Sequence, residues 1–256
     1  MRPRIIPVLL VEDGGLVKTI KFNKRVYLGD PINTVRLFND MEVDELVVLD
    51  ISATKNARGP NLSLIEDIRN EAFMPLAYGG GVTNASQIRD LIYMGIEKVA
   101  LNNVLNHDPS IIKEASEIIG SQSIIASIDI KKTLFGQYKL FTYLDNRSKH
   151  LIIKDLFESL EDLGIGEVLL NFVDRDGTWA GYDLAFVEEI VKFIKVPLVV
   201  SGGAGSLNDL NLVTKSGADA AAAGSLFSFQ GKGQGVLTNY PNSKELERIF
   251  NNDNKL

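Results

Sequence analysis

Apolar runs of strand length alternate with amphipathic stretches of helix length along almost the whole chain. Runs apolar enough for burial on both faces cover Ile5–Val11, Glu45–Ile51, Leu76–Gly80, Lys98–Asn102, Ile124–Ile130, Val168–Val173, Leu198–Gly202 and Ala220–Leu226. Between the runs of the first half, apolar residues recur at helical spacing over Ile32–Met41, Leu62–Ala72, Ser86–Tyr93 and Ile111–Ile119. The second half repeats the pattern over Ile152–Leu163, Leu184–Ile194, Leu207–Lys215 and Ser243–Phe250. Near-continuous apolar strands belong to parallel sheets covered by helices, whereas a sheet with one wet face shows alternation. Eight strand–helix units in 256 residues predict an α/β chain folded as a (βα)8 TIM barrel. No linker-like or low-complexity segment interrupts the order, so one domain over residues 1–256 is expected, with a polar tail, Asn251–Lys255, that frays.

The two halves resemble each other. Tyr78-Gly79-Gly80-Gly81-Val82 follows Pro75, and Ser201-Gly202-Gly203-Ala204-Gly205 follows Pro197, 122 residues later. Ile5–Val11 aligns with Ile124–Ile130, and Asp44–Leu49 aligns with Gly166–Leu170, in the same order and at nearly the same offset. An ordered set of matches predicts a barrel built from two pseudo-symmetric half-barrels. Each glycine loop ends a strand and leads into a helix, where bare backbone N–H groups can approach an anion. Two such loops suggest a ligand with a phosphate at each end.

Composition narrows the function classes. Net charge is −6, which gives no electrostatic footprint for nucleic acid, and the aromatic residues are not interleaved with basic ones. There is no cysteine, hence no disulfide framework, thiolate metal site or cysteine nucleophile. His107 and His150 fall in connecting regions away from the expected mouth, form no metal-spaced cluster and suggest no Ser/His/Asp arrangement. No metal or cofactor is expected. The longest apolar runs fall short of the roughly 18 residues of a membrane span, and the amino terminus lacks a secretory h-region. A soluble, cytoplasmic protein is the expectation.

In a barrel, strand C-termini and the loops after them line the active face. Asn102-Asn103 after the fourth strand and Gly224-Ser225 after the eighth adjoin the glycine loops carrying Gly81 and Gly203, giving one phosphate cradle per half. Asp174-Arg175-Asp176-Gly177-Thr178 follows the sixth strand. Asp176 and Gly177 would lie near the second cradle, with Asp176 ordering the loop or touching a ligand hydroxyl. Asp129 ends an otherwise apolar strand, where desolvation suits a carboxyl for general acid–base work. Asp50 ends the second strand and can point into the mouth. Lys18, in the glycine-rich loop after the first strand, either reaches an anion or stays an exposed loop lysine. At the opposite end, Arg4, Glu45, Lys98 and Glu167 stand at strand starts with alternating sign. They form either ordinary rim pairs or a closed ring across the barrel floor.

Arg4–Pro7, Asp44–Ile51, Tyr78–Gly81, Gly120–Ser123, Asp174–Thr178 and Ser201–Gly205 together resemble the cyclase subunit of imidazole glycerol phosphate synthase, the HisF family, over essentially the whole chain. The resemblance implies a barrel that docks a glutaminase subunit at its floor. Ammonia then passes a gate of Arg4, Glu45, Lys98 and Glu167 to a phosphorylated ligand held by Gly81, Asn102, Asn103, Asp176, Gly177, Gly203, Gly224 and Ser225. The family uses an Asp pair at the ends of strands one and five. Here Asp129 is present, but the internal alignment puts Leu10 at its counterpart. Glu12 and Asp13 are the nearest carboxylates that could substitute. Asn171 and Phe172 stand where the family carries small hydroxyl residues, a second alteration of the mouth. The stretch from Gly224 to Pro241 looks like the paralogous group of surface-polysaccharide clusters, which implies an ATP-dependent sugar amidotransferase as a further partner. Histidine-pathway cyclisation is the alternative.

Overall fold

The computed structural model describes residues 2–133, 135–142 and 153–251. His150, the first residue of the expected 152–163 helix and the tail beyond residue 251 lie outside the described residues. Eight parallel strands close on themselves: β1 (Arg4–Glu12), β4 (Leu46–Asp50), β5 (Leu76–Gly79), β6 (Lys98–Leu101), β7 (Ile124–Lys132), β9 (Glu167–Phe172), β10 (Leu198–Ser201) and β11 (Ala220–Ala223). Closure is the parallel pairing of β11 with β1, Ile5 opposite Ala221 and Pro7 opposite Ala223. Helices α1 (Pro31–Asp40), α2 (Leu62–Glu71), α3 (Ala85–Tyr93), α5 (Ser110–Ile119), α6 (Ile153–Ser159), α7 (Leu184–Ile190), α8 (Leu207–Lys215) and α10 (Ser243–Asn251) alternate with them. The fold is a (βα)8 barrel.

Alternation along each strand sorts its residues between two cores. Ile5, Leu9 and Val11 of β1 pack outward against the helices, in the core that also holds Phe38, Ile88 and Phe172. Ile6, Val8 and Leu10 point inward, to meet Val47, Ala77, Ala100, Leu169 and Ala222. This is why the strands read as continuous apolar runs: both faces are dry.

The repeat is visible in local chemistry. Asn84 caps α3 by accepting from the Gln87 amide, and Ser206, 122 residues on, caps α8 from the Asp209 amide in a full capping box. β1 and β7 are the longest barrel strands, and each folds back into an antiparallel partner, β2 (Gly15–Ile20) and β8 (Tyr138–Leu140) respectively. The glycine-rich loop expected to carry Lys18 is therefore a corrected element: Gly15–Ile20 is strand, and it pairs onward with β3 (Lys24–Gly29). Two short helices also follow strands, α4 (Asn103–His107) and α9 (Ser225–Ser228). The fourth and eighth apolar runs consequently end as strands at Leu101 and Ala223, and His107 belongs to a helix, not to an irregular connection.

Candidate functional site

The C-terminal ends of the strands converge on one cavity. Lys18, Asp50, Gly81, Asn102, Asn103, Asp129, Asp176, Gly177, Gly203, Gly224 and Ser225 all line it, together with Leu10 and Asn171. Residues scattered over more than 200 positions meet because nearly all sit at, or shortly after, the same end of a parallel strand, while Lys18 reaches in from the antiparallel strand Gly15–Ile20.

Asp129 lies at the seam of β6, β7 and β9. Asn102 Nδ2 donates to its Oδ2 at 3.0 Å and to the Ser127 carbonyl at 2.9 Å. Asn171 Nδ2 donates to Oδ1 at 2.8 Å. Burial pushes the Asp129 carboxyl up to about 7; the hydrogen bonds from Asn171 and Asn102 pull it down, and the Asp176 charge adds to the rise. Such a group exchanges a proton near neutral pH.

The corresponding seam of the other half has different chemistry on the same backbone. Asp129 pairs in register with Asn171, and Leu10 pairs with Leu49. The counterpart of Asn102 is Gly224, and a Cβ there would lie 2.7 Å from Lys18 Cε. Lys18 fills that space. It is buried, not an exposed loop lysine, and its Nζ donates to Asp176 Oδ1 at 2.5 Å. Asp176 Oδ2 accepts from Thr19 Oγ1 at 2.6 Å, and the Asp176 carbonyl accepts from the Lys21 amide at 2.9 Å. The carboxylate thus holds the β2–β3 hairpin against the loop after β9.

Every other carboxylate considered for the mouth is engaged. Asp50 Oδ1 accepts from the Ser52 and Ala53 amides at 2.9 Å each and from Ser52 Oγ at 2.8 Å, ordering the loop after β4. Glu12 pairs with Arg25 at 2.8 Å and Asp13 with Arg58 at 2.9 Å, so neither swings across from Asp129. Phe172 lines the cavity as well, but it does so from the outer core. Its ring is fully buried in the outer core, edge-on to Tyr138 and Phe186, because a residue next to the inward Asn171 must face outward.

Gly81 and Gly203 occupy equivalent places, with φ of +72° and +119°. A Cβ on Gly81 would come within 2.6 Å of the Arg58 carbonyl, and one on Gly203 would overlap the Gly181 carbonyl. Glycine is needed in both cradles so that a neighbouring backbone can close over them. Gly203→Ala is expected to lower stability by at least about 2 kcal/mol, measured by urea unfolding.

At the other end of the barrel the four floor charges close into a ring. Arg4 contacts both acids, Glu45 through Nη1 and Glu167 through Nη2, the latter at 2.6 Å. Lys98 Nζ bridges the same acids at 3.0 and 3.2 Å. Burial opposes the charge on Arg4, but the carboxylates of Glu167 and Glu45 outweigh it and hold its pKa above the ordinary value. Lys98, Ala100 and Asn102 lie at two-residue steps, as do Glu167, Leu169 and Asn171, so one strand face runs from floor through bore to mouth.

The strand-end spacing could have flagged Asn171 as a partner of Asp129, since it repeats the step that places Glu167. Thr19 had no such signal, because it depends on the hairpin folding back. Among the described residues, no group of three or more His, Cys, Asp or Glu side chains is placed to hold a metal ion, and no helix is long and apolar enough to cross a membrane.

A closed (βα)8 barrel with a half-barrel repeat, twin glycine cradles at its mouth and a charged ring at its floor defines the class. Residues 4–234 match the family described as histidine biosynthesis protein, and the chain belongs to that family, as a HisF-like member. It is 44% identical over 252 residues to a Leptospira interrogans protein provisionally named imidazole glycerol phosphate synthase subunit HisF, covering 98% of this chain and 99% of that one. A Pseudomonas aeruginosa protein provisionally named subunit hisF2 is 42% identical over 248 residues, 96% and 99% of the two chains. Subunit HisF of Natranaerobius thermophilus is 35% identical over 245 residues, 95% and 97% of the two.

Proposed function

We propose that this chain is the barrel subunit of a glutamine amidotransferase complex. It receives ammonia from a glutaminase subunit at the Arg4–Glu45–Lys98–Glu167 floor and conducts it to the mouth. There it serves amination or amidination of a surface-polysaccharide sugar, together with an ATP-dependent amidotransferase. The bore between floor and mouth is apolar and partly lined by small side chains, Ala77, Ala100 and Ala222 among them. Such a lining suits neutral ammonia and disfavours ammonium, whose charge loses its hydration there.

The observation that carries the reading is Leu10. It lines the mouth in the place that the half-barrel repeat makes equivalent to Asp129, and its register partner Leu49 is equally apolar. Two-carboxylate acid–base chemistry of the cyclase type lacks its second group. Expression in a cyclase-deficient histidine auxotroph is expected to give no growth; robust growth would support the second reading, a working cyclase that turns its ligand into imidazole glycerol phosphate. That reading draws on Asp129, which keeps a carboxyl poised near neutrality.

In either reading Gly81, Asn102, Asn103, Asp176, Gly177, Gly203, Gly224 and Ser225 surround a ligand phosphorylated at both ends, with Lys18 and Asp50 beside it. Asn103→Asp and Ser225→Asp each bring a negative charge to one cradle. Each is expected to weaken binding of a bis-phosphorylated ribosyl ligand at least about tenfold by calorimetry, since like charges facing each other cost several kcal/mol. Absence of measurable binding to the unsubstituted protein would leave a non-catalytic scaffold that activates the glutaminase without binding phosphates.

A further inference from the structure

Asp129 is gripped from both sides by amides. Asn102, following β6, donates to one carboxylate oxygen, and Asn171, on β9, donates to the other. The two amides are also tied to the β7 strand that carries Asp129. Asn102 Nδ2 reaches the Ser127 carbonyl at 2.9 Å, and Asn171 Nδ2 reaches Ser127 Oγ at 3.3 Å. An amide NH2 can only donate, so a carboxyl held this way must accept at both oxygens. Each oxygen keeps a further lone pair for a ligand. The opposite half of the barrel offers no such grip, because Leu10, Leu49 and Gly224 stand where Asp129, Asn171 and Asn102 stand here. The grip is therefore confined to one half of the duplicated scaffold.

We infer that Asn171 is a positioning residue that, with Asn102, fixes Asp129 as a proton acceptor, making the mouth a one-base site for a ligand that gives up a proton from N–H or O–H. The proton moves to a free lone pair of Asp129, and the bonding pair stays on the ligand nitrogen or oxygen. The inference rests on the proposed function and adds to it a working carboxylate at the mouth, Asp129. Other charged groups lining the same mouth are Lys18 of β2 paired with Asp176 of the loop after β9, Arg25 of β3 paired with Glu12, and Asp50 and Lys55 of the segment that ends β4. On β7 itself, Lys131 lies over the Phe141 ring and Lys132 pairs with Asp183. Among the described residues, Asn171 and Asn102 are the side chains that hydrogen-bond the Asp129 carboxylate.

Carbon-detected NMR titration of the aspartate carboxyls, with Asp129 assigned by comparison with Asp129→Asn, tests this. Asn171→Leu keeps the bulk and removes the donor; it is expected to raise the Asp129 pKa by about one unit or more, a tenfold gain in proton affinity. Asn171→Thr retains a hydroxyl donor and is expected to recover part of the shift, which a purely structural role would not produce. An Asp129 titration that stays put in both variants, with native circular dichroism, overturns the inference. The titration needs no substrate. If the wild-type complex gives no amination while Asn171→Leu still moves the titration, the proposed function fails and the positioning role stands.

Discussion

Asp129→Asn is expected to lower the rate of the reaction at the mouth by about 10²–10⁴-fold, the usual worth of one positioned acid or base. The same substitution is expected to remove a pH dependence of stability. In the folded protein the Asp129 carboxyl holds its proton up to about pH 7, against an ordinary value of 3.8. Between these values the native state binds more protons than the unfolded chain, so stability falls as pH rises through the interval. Below about pH 4 both states are protonated and no penalty applies; above about pH 7 the full penalty is present. Roughly three units of displacement correspond to a penalty on the order of 4 kcal/mol. Urea unfolding of wild type and Asp129→Asn at pH 4 and pH 8 measures it as a difference of differences. Parallel pH profiles for the two proteins would show that Asp129 is not a desolvated carboxyl.

Lys98→Met is expected to cost about 3 kcal/mol of stability and to separate glutamine hydrolysis from amination in the assembled complex. Without Lys98, Glu45 and Glu167 face Arg4 alone, and both acids are nearly fully buried. Removing one partner of a buried ion network leaves charge uncompensated, at roughly 3–5 kcal/mol. The low end applies because the Lys98 side chain stays 19% exposed. Glu167→Gln preserves shape and tests the same ring from its acidic side. The check is the ratio of glutamine consumed to aminated product. If both variants keep the wild-type ratio, the ring is a structural floor and ammonia does not pass through it.

Much of the architecture was legible because a closed parallel barrel is dry on both faces of every strand, which leaves a strong apolar signal. The β2–β3 hairpin left none. Residues Lys24–Gly29 are exposed or half-exposed, and their strand character comes from pairing with β2. Helices α4 and α9 span five and four residues, too few for a helical period to show. At the mouth, strand-end positions marked Asp129, Asn102 and Asp176 as inward residues. They did not mark what each one touches. Lys18 illustrates the gap: a lysine after two glycines reads as a loop residue, yet it fills the space beside Gly224 and pairs with a carboxylate 158 residues away.

The sequence alone determined the barrel, its duplication and the identity of the groups at each end, since hydrophobic periodicity and strand direction are local properties that repeat along the chain. Tertiary structure decided which charges join into a ring, which carboxylates are tied up and which one is left between two amides. Those outcomes depend on distances across the barrel, and they are fixed only when eight separate strand ends are brought to one axis.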